Sequence, residues 1–154
     1  MLLRKTIYII AGIFLLSSFC AAQTGGKTKT SPVSVQTAAM VKYSPAYAEL
    51  LLRRTERESE LEEFALDYTD EFPKVKEIKF ELGLLNKEMD RVLTVNASES
   101  GKLTLALGKL LVRKTEIETD LWNLRKQYKD DHAEVKRAKR KVEIYEKAIK
   151  EILP

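Results

Sequence analysis

Apolar residues recur at alternating intervals of three and four along two stretches of the chain, first Val75, Ile78, Leu82, Leu85, Met89 and Val92, then Val135, Ala138, Val142, Tyr145, Ile149 and Ile152. This spacing keeps one side of an α-helix apolar, and each stretch holds it for about three heptads, so both predict helices with a coiled-coil-like seam. The segment before each stretch carries a poorer version of the pattern. Tyr47, Leu50, Leu61, Phe64 and Tyr68 are answered by Leu107, Leu110, Leu121, Leu124 and Tyr128, and Arg54, Arg57 and Lys114 interrupt the seams. Ser44-Pro45 supplies an N-cap followed by proline at the first helical position, and Ser98–Ser100 offers a second helix start. Four helices are expected near 45–69, 72–93, 102–129 and 132–153, with no β-branched alternation to compete for strand.

The two patterns are copies of one unit. Shifting the chain by 60 residues superposes Glu49–Leu93 on Lys109–Leu153 without a gap, and 14 of the 45 pairs are identical, which marks a tandem duplication. The best-kept phrase reads "YTDEFPKVK" from Tyr68 and "YKDDHAEVK" from Tyr128. It falls where the first helix of each unit must stop. Pro73 lacks an amide hydrogen and pushes Phe72 out of the helical region, while Asp131 is expected to cap the next helix with Glu134 reaching back as a capping box. Tyr68, Asp70, Pro73 and Val75, and then Tyr128, Asp130, Asp131 and Val135, therefore mark two helix–turn–helix corners. A turn of about four residues forces the flanking helices antiparallel, and the tyrosine and valine on either side are placed to pack across it. The expected fold is all-α: two tandem antiparallel helical hairpins over 44–94 and 98–154, coiled-coil-like or closing into a four-helix bundle.

The N-terminus adds an address. Arg4 and Lys5 precede a thirteen-residue apolar run from Ile7 to Phe19, and Cys20, Ala21 and Ala22 offer small residues for cleavage before Gln23. That layout predicts a signal peptide over 1–22 and export to the periplasm or the extracellular space. The run is shorter than the ~20 residues of a comfortable membrane span. An uncleaved N-terminal anchor and a lipoprotein acylated at Cys20 are the two competing readings. No second long apolar run follows, so no integral span is expected after cleavage. Residues 23–43, poor in large apolar side chains and rich in Thr, Ser and Gly, read as a flexible tether. The "GGKT" within it lacks the first glycine and the preceding strand of a phosphate-binding loop.

Charge and chemistry narrow the function. With Arg4 and Lys5 removed, 25 of the 27 basic residues remain against 23 acidic ones, a net charge of +2 that does not point to nucleic acid. Cys20 is the only cysteine, so cleavage after Ala22 leaves no thiol chemistry. The single histidine, His132, has only Asp130, Asp131 and Glu134 as local partners and reads as a solvated turn residue rather than a metal ligand. The carboxylates interleave with Lys and Arg at helical spacing, as in Arg54–Glu58 and Lys114–Glu118, which is the pattern of a solvated helix face. No catalytic, cofactor-binding or metal-binding residues are expected, and no enzymatic activity. The doubled "R-[RK]-T-E-x-E", Arg53, Glu56 and Glu58 in one copy and Arg113, Glu116 and Glu118 in the other, is the candidate partner-binding stripe, with Trp122 either partly buried core or an interface anchor. The basic run Lys136–Lys141 lies outside the apolar positions of its helix and reads as solvated.

The corner phrase resembles the Tyr-Thr-Pro-Glu-His-Pro-x-Val motif of periplasmic coiled-coil segments in polysaccharide chain-length determinants and related exopolysaccharide-export proteins. Tyr68, Thr69, Glu71, Pro73 and Val75 fit it in the first copy, and Tyr128, His132 and Val135 in the second. The likeness is confined to this motif, without the membrane helices or tyrosine kinase domain of such proteins. It implies the hairpin and a tendency to assemble.

Two functions are therefore expected. The first is an exported structural protein whose hairpins bind copies of themselves or envelope and polysaccharide-export components; the second is a periplasmic chaperone or adaptor holding clients between its hairpins. A homo-oligomer is expected because a closed monomeric bundle would bury Arg54, Arg57 and Lys114, which is costly without partners, whereas the clean seams could pair between chains. N-terminal sequencing of the chain from an envelope fraction should find Gln23 first; a cytosolic chain still beginning at Met1 would refute export.

Overall fold

The computed structural model describes residues 40–153. The signal peptide expected over 1–22, and the tether up to residue 39, lie outside the described residues. Residues 40–42 are helical rather than part of a tether, and Val41 is fully buried. Four long helices follow: α1 (Pro45–Asp67), α2 (Pro73–Leu93), α3 (Leu105–Gln127) and α4 (Ala133–Ile152), with a short 3₁₀ helix (Ala97–Lys102) between the hairpins. No strand occurs among the described residues. The 60-residue offset survives in three dimensions, since α1 and α3 are both 23 residues long and begin 60 residues apart.

Local chemistry sets the helix ends. Ser44 accepts a hydrogen bond from the Tyr47 amide at 3.3 Å, and Pro45 takes the first helical position. The start of α3 is capped by Thr104, which accepts from the Leu107 amide at 3.3 Å. Ser98–Ser100, expected to start that helix, instead forms part of the 3₁₀ helix. At α4 the expected cap also moves by one residue. His132 Nδ1, not Asp131, accepts from the Glu134 amide at 3.3 Å. Asp131 is exposed and leaves the cap to its neighbour.

The two corners have one geometry. Tyr68 and Tyr128 end their helices with φ −129° and ψ 151° or 150°. Their rings stack on the residue four positions on, Tyr68 on Phe72 at 4.0 Å and Tyr128 on His132 at 4.1 Å between centroids. Each half-exposed tyrosine thus packs across the turn onto the ring that precedes the next helix, while Val75 and Val135 turn inward and are buried. Asp70 and Asp130 each accept from a lysine nine residues later, Lys79 at 2.7 Å and Lys139 at 3.0 Å. The Lys139 contact, with Arg125, holds the Asp130 carboxyl below its ordinary range. Positions 72 and 132, Phe in one copy and His in the other, thus each place a flat ring against a tyrosine.

Each hairpin closes antiparallel, and α3 is the helix that joins them. α1 and α3 run parallel, since Ala46 lies against Gly108 and, farther along both, Arg53 meets Glu116. α2 and α3 are antiparallel, with Glu88 on Lys114 and Glu77 on Asn123. Both corners therefore lie at one end of the molecule, and the link between hairpins at the other, where the Ala46 amide donates to the Leu103 carbonyl at 3.2 Å. The main core sits at the link end, with Leu50, Leu85, Met89, Val92, Leu107, Leu111 and Ile149 closed by Leu103 and Leu153. A smaller cluster of Leu121, Val135 and Ala138 stabilises the second hairpin near its corner. The seams lie largely inside: Ile78, Leu85, Met89, Val92 and Ile149 are buried, and Leu82, Val142, Tyr145 and Ile152 half-buried.

Gly108 is the closest approach of the two hairpins. A Cβ there would stand 2.8 Å from the Glu49 Cβ and 2.9 Å from the Ala46 Cα, a contact with backbone that cannot swing aside. Gly83, also within a helix, has open space around it. Helix propensity favours alanine over glycine at both by up to ~1 kcal/mol. Gly83→Ala should therefore raise the thermal midpoint, whereas Gly108→Ala should lower it through an overpacking cost of ~1–3 kcal/mol; equal upward shifts in thermal melts would place α1 and α3 farther apart than described.

Candidate interaction site at the hairpin interface

The cations that interrupt the seams are met by carboxylates. Lys114, only 6% exposed, donates from Nζ to Glu88 Oε1 at 2.6 Å and lies 3.3 Å from Glu118 and 3.4 Å from Glu146. Arg91 closes the cluster, 3.6 Å from Glu88 and 3.4 Å from Glu146, so three helices are tied at one point. Burial by itself pushes the Lys114 ammonium down, but the hydrogen bond to Glu88 and the charges of Glu88, Glu118 and Glu146 outweigh it and hold the group above the ordinary lysine range. A cavity of about 460 Å³ adjoins the cluster.

A second network runs toward the corners. Arg53 reaches Glu81 at 2.9 Å and Glu116 at 3.2 Å, while Arg57 pairs with Glu60 at 2.5 Å and approaches Glu81 at 4.0 Å. Lys74 bridges Glu60 and Glu77, and the Asn123 amide donates to Glu77 at 2.6 Å. Desolvation raises the Glu77 carboxyl, but the hydrogen bonds from Lys74 and Asn123 win and keep it below the ordinary glutamate range. Beside Asn123, the Trp122 ring stacks on Phe80 at 4.7 Å with Lys126 Nζ 3.0 Å above it. Trp122 is thus a half-buried anchor between the hairpins.

These contacts show how the candidate stripe is used. Of the first copy, Arg53 faces inward across the interface, Glu56 stays half exposed beside it, and Glu58 pairs with Arg54 at 3.1 Å on the outside of α1. Of the second, Glu116 receives Arg53, Glu118 joins the Lys114 cluster, and Arg113 remains 57% exposed. The stripe links the two hairpins through one member from each copy. The expectation that Arg54, Arg57 and Lys114 would keep the bundle from closing and leave the seams to pair between chains is corrected by Glu88 on Lys114 and by Glu60 and Glu81 on Arg57, carboxylates that sequence reasoning did not single out. The signal for Glu81 and Glu88 was present: Lys74, Glu81 and Glu88 recur every seven residues beside the α2 seam, a column able to meet cations on a facing helix. The interleaved charges are likewise not all on a solvated face, because Glu81, Glu88 and Lys114 are buried. The residues of the basic run that flank Ala138 are exposed apart from half-buried Lys139.

The duplication does not bury equivalent faces equally. On α3, Leu111 and Thr115 are fully buried and Thr119 nearly so, because this face meets the first hairpin. Their counterparts on α1, Leu51, Thr55 and Ser59, are exposed, and Leu52 beside them is 58% exposed. A shallow groove of about 430 Å³ runs past Leu52, Thr55, Glu56 and Glu63. Among the described residues, no group of three or more His, Cys, Asp or Glu side chains is arranged to hold a metal ion, and no helix is long and apolar enough to cross a membrane. The architecture is that of an all-α protein of two tandem helical hairpins. No protein-family description, curated protein or solved structure matches the chain.

Because Lys114 and Glu88 compensate each other's burial, Lys114→Met should destabilise the fold by roughly 3 kcal/mol, while Lys114→Met with Glu88→Met should recover most of the loss. The raised Lys114 group contributes stability that is fully present below its unfolded value, about 10.4, and is lost as pH rises through the folded value. Denaturant melts against pH should show that alkaline loss in the parent and not in the double variant; independent, additive effects of the two substitutions would refute the pairing.

Proposed function

We propose that the protein is an exported, non-enzymatic structural component of the cell envelope, whose helical hairpins assemble with copies of themselves or with envelope and polysaccharide-export components. The observation that carries this reading is the outer face of α1. Leu51 and Leu52 stand there at 40% and 58% exposure among Thr55, Ser59 and a rim of glutamates, while the same face of the duplicate helix is buried against a neighbouring hairpin. Apolar positions ringed by charge are the composition of a protein-binding surface. The charged n-region, apolar core and small residues of the first 22 positions support export, and the corner phrase from Tyr68 and Tyr128 supports the envelope setting.

The chaperone reading needs a client groove between the hairpins. That space is filled at the link end by Leu85, Leu107 and Leu111 and farther along by the Phe80–Trp122 stack, so assembly is the better reading. Cross-linking the full chain in intact envelopes should give adducts containing further copies of it or export components, and Leu52→Arg should diminish them severalfold. A chain recovered from the cytosol without adducts would overturn the proposal.

A further inference from the structure

We infer that copies of this chain join head to tail, the outer face of α1 in one copy seating on the outer face of α3 and α4 in the next, in the register the two hairpins use within one chain. This rests on the assembly reading above and names its partner and its contacts.

A duplicated hairpin has two faces, and one chain uses one of each. The inner face of hairpin 1, on α1 and α2, meets the inner face of hairpin 2, on α3. What remains outside is the sequence counterpart of what met inside. Leu103 and Leu111, at 1% and 0% exposure, correspond across the 60-residue shift to Tyr43 and Leu51, at 87% and 40%. On the other side, fully buried Leu50 corresponds to half-buried Leu110, and half-buried Leu84 to Ile144 at 56% exposure. Tyr43, Leu51 and Ile144 are thus exposed apolar side chains that the same packing would cover once more.

Three of the contacts between the hairpins translate as well, whereas the buried Lys114–Glu88 pair becomes Arg54 facing Ala148 and has no intermolecular equivalent. Arg53 on Glu116, 3.2 Å within the chain, becomes Arg113 on Glu56 between chains, two side chains that are 57% and 51% exposed. The Phe80–Trp122 stack becomes Arg140 facing Glu62. The hydrogen bond between Glu77 and Asn123 becomes Arg137 facing Glu63. In the last two, both partners have changed together and each pair has become cation and carboxylate. Within one chain that joint change has no contact to serve, because α1 and α4 make no extended contact. The result is an acidic face on α1 (Glu56, Glu62, Glu63) and a basic face on α3 and α4 (Arg113, Arg137, Arg140). Arg137 and Arg140 are otherwise engaged only in exposed pairs with Glu134 and Glu143, at 2.6 and 3.1 Å, which are weak enough to exchange. Nucleic acid or another polyanion would fill the basic face and leave Leu51 and Leu52 uncovered.

The intermolecular contact is looser than the internal one. Ala48 stands where Gly108 allows the closest approach, so the helices must sit farther apart at that point. The contact is also heterologous, so each added copy presents a fresh face and growth continues past two.

The test is a charge-reversal set in the full chain, cross-linked with formaldehyde in intact cells and resolved by size. The parent should give a ladder of multiples. Arg137→Glu with Arg140→Glu, or Glu62→Arg with Glu63→Arg, should reduce it roughly tenfold, equivalent to about 1.4 kcal/mol; a chain carrying all four changes should regain it. All four positions are exposed, and melts of the purified variants check that each still folds. A double variant that keeps its ladder, or a fourfold variant that fails to regain it, overturns the head-to-tail register. Adducts solely with other proteins overturn it too while leaving the assembly reading intact; a parent without any adduct refutes both.

Discussion

The buried pair of Lys114 and Glu88 is the constraint that the rest of the arrangement depends on. A lysine in the apolar seam of α3 has two physical outcomes: the bundle opens to keep it wet, or a carboxylate is brought to it. Glu88 at 2.6 Å is the second outcome, and it fixes where α2 lies on α3. Glu146 and Arg91 then tie α4 to the same point. Burial of charge is poor at adding stability but demanding in geometry, since a slip of one helical turn would leave an uncompensated ion inside. The cluster therefore acts as a register pin for three helices whose apolar seams alone would tolerate sliding.

The same pin makes the two hairpins unequal. Arg54, the counterpart of Lys114, lies toward the outside of α1 and pairs with Glu58, because among the described residues no hairpin packs on that face of α1. Thr115 and Thr55 are identical in type and opposite in burial for the same reason. Duplication of a sequence yields equivalent hairpins, but stacking them in one direction gives each a different set of neighbours. This is the general situation of repeat proteins, where the terminal faces differ from the internal ones. Here the outer face of α1 carries Glu56, Glu62 and Glu63, and that of α3 and α4 carries Arg113, Arg137 and Arg140, all exposed.

The corners play a separate part. The tyrosine stacks at Phe72 and His132, and the aspartate–lysine contacts that close each turn, are repeated with little change although the ring under the tyrosine differs. The turn depends on a flat ring and an extended backbone at that position, which both phenylalanine and histidine supply. Only histidine adds an acceptor for the next helix, and only Phe72 is followed by proline, so the two corners solve helix initiation by different means.

The sequence by itself determined the helices, their pairing into hairpins and the 60-residue repeat, because heptad spacing, prolines and short turns act within a few residues of where they stand. It also placed Val75, Leu85 and Ile149 on buried faces. Cap identity at α4 was legible only to within one residue, since Asp131 and His132 both carry an acceptor at the right place and backbone geometry chose between them. What only the tertiary structure decided was the meeting of α2 with α3. Whether Glu81 and Glu88 are solvated or buried, whether Arg53 faces in while Arg113 faces out, and which copy of each leucine is covered all depend on contacts between residues more than 20 positions apart. A local pattern records which side of a helix can be buried; it does not record which helix buries it.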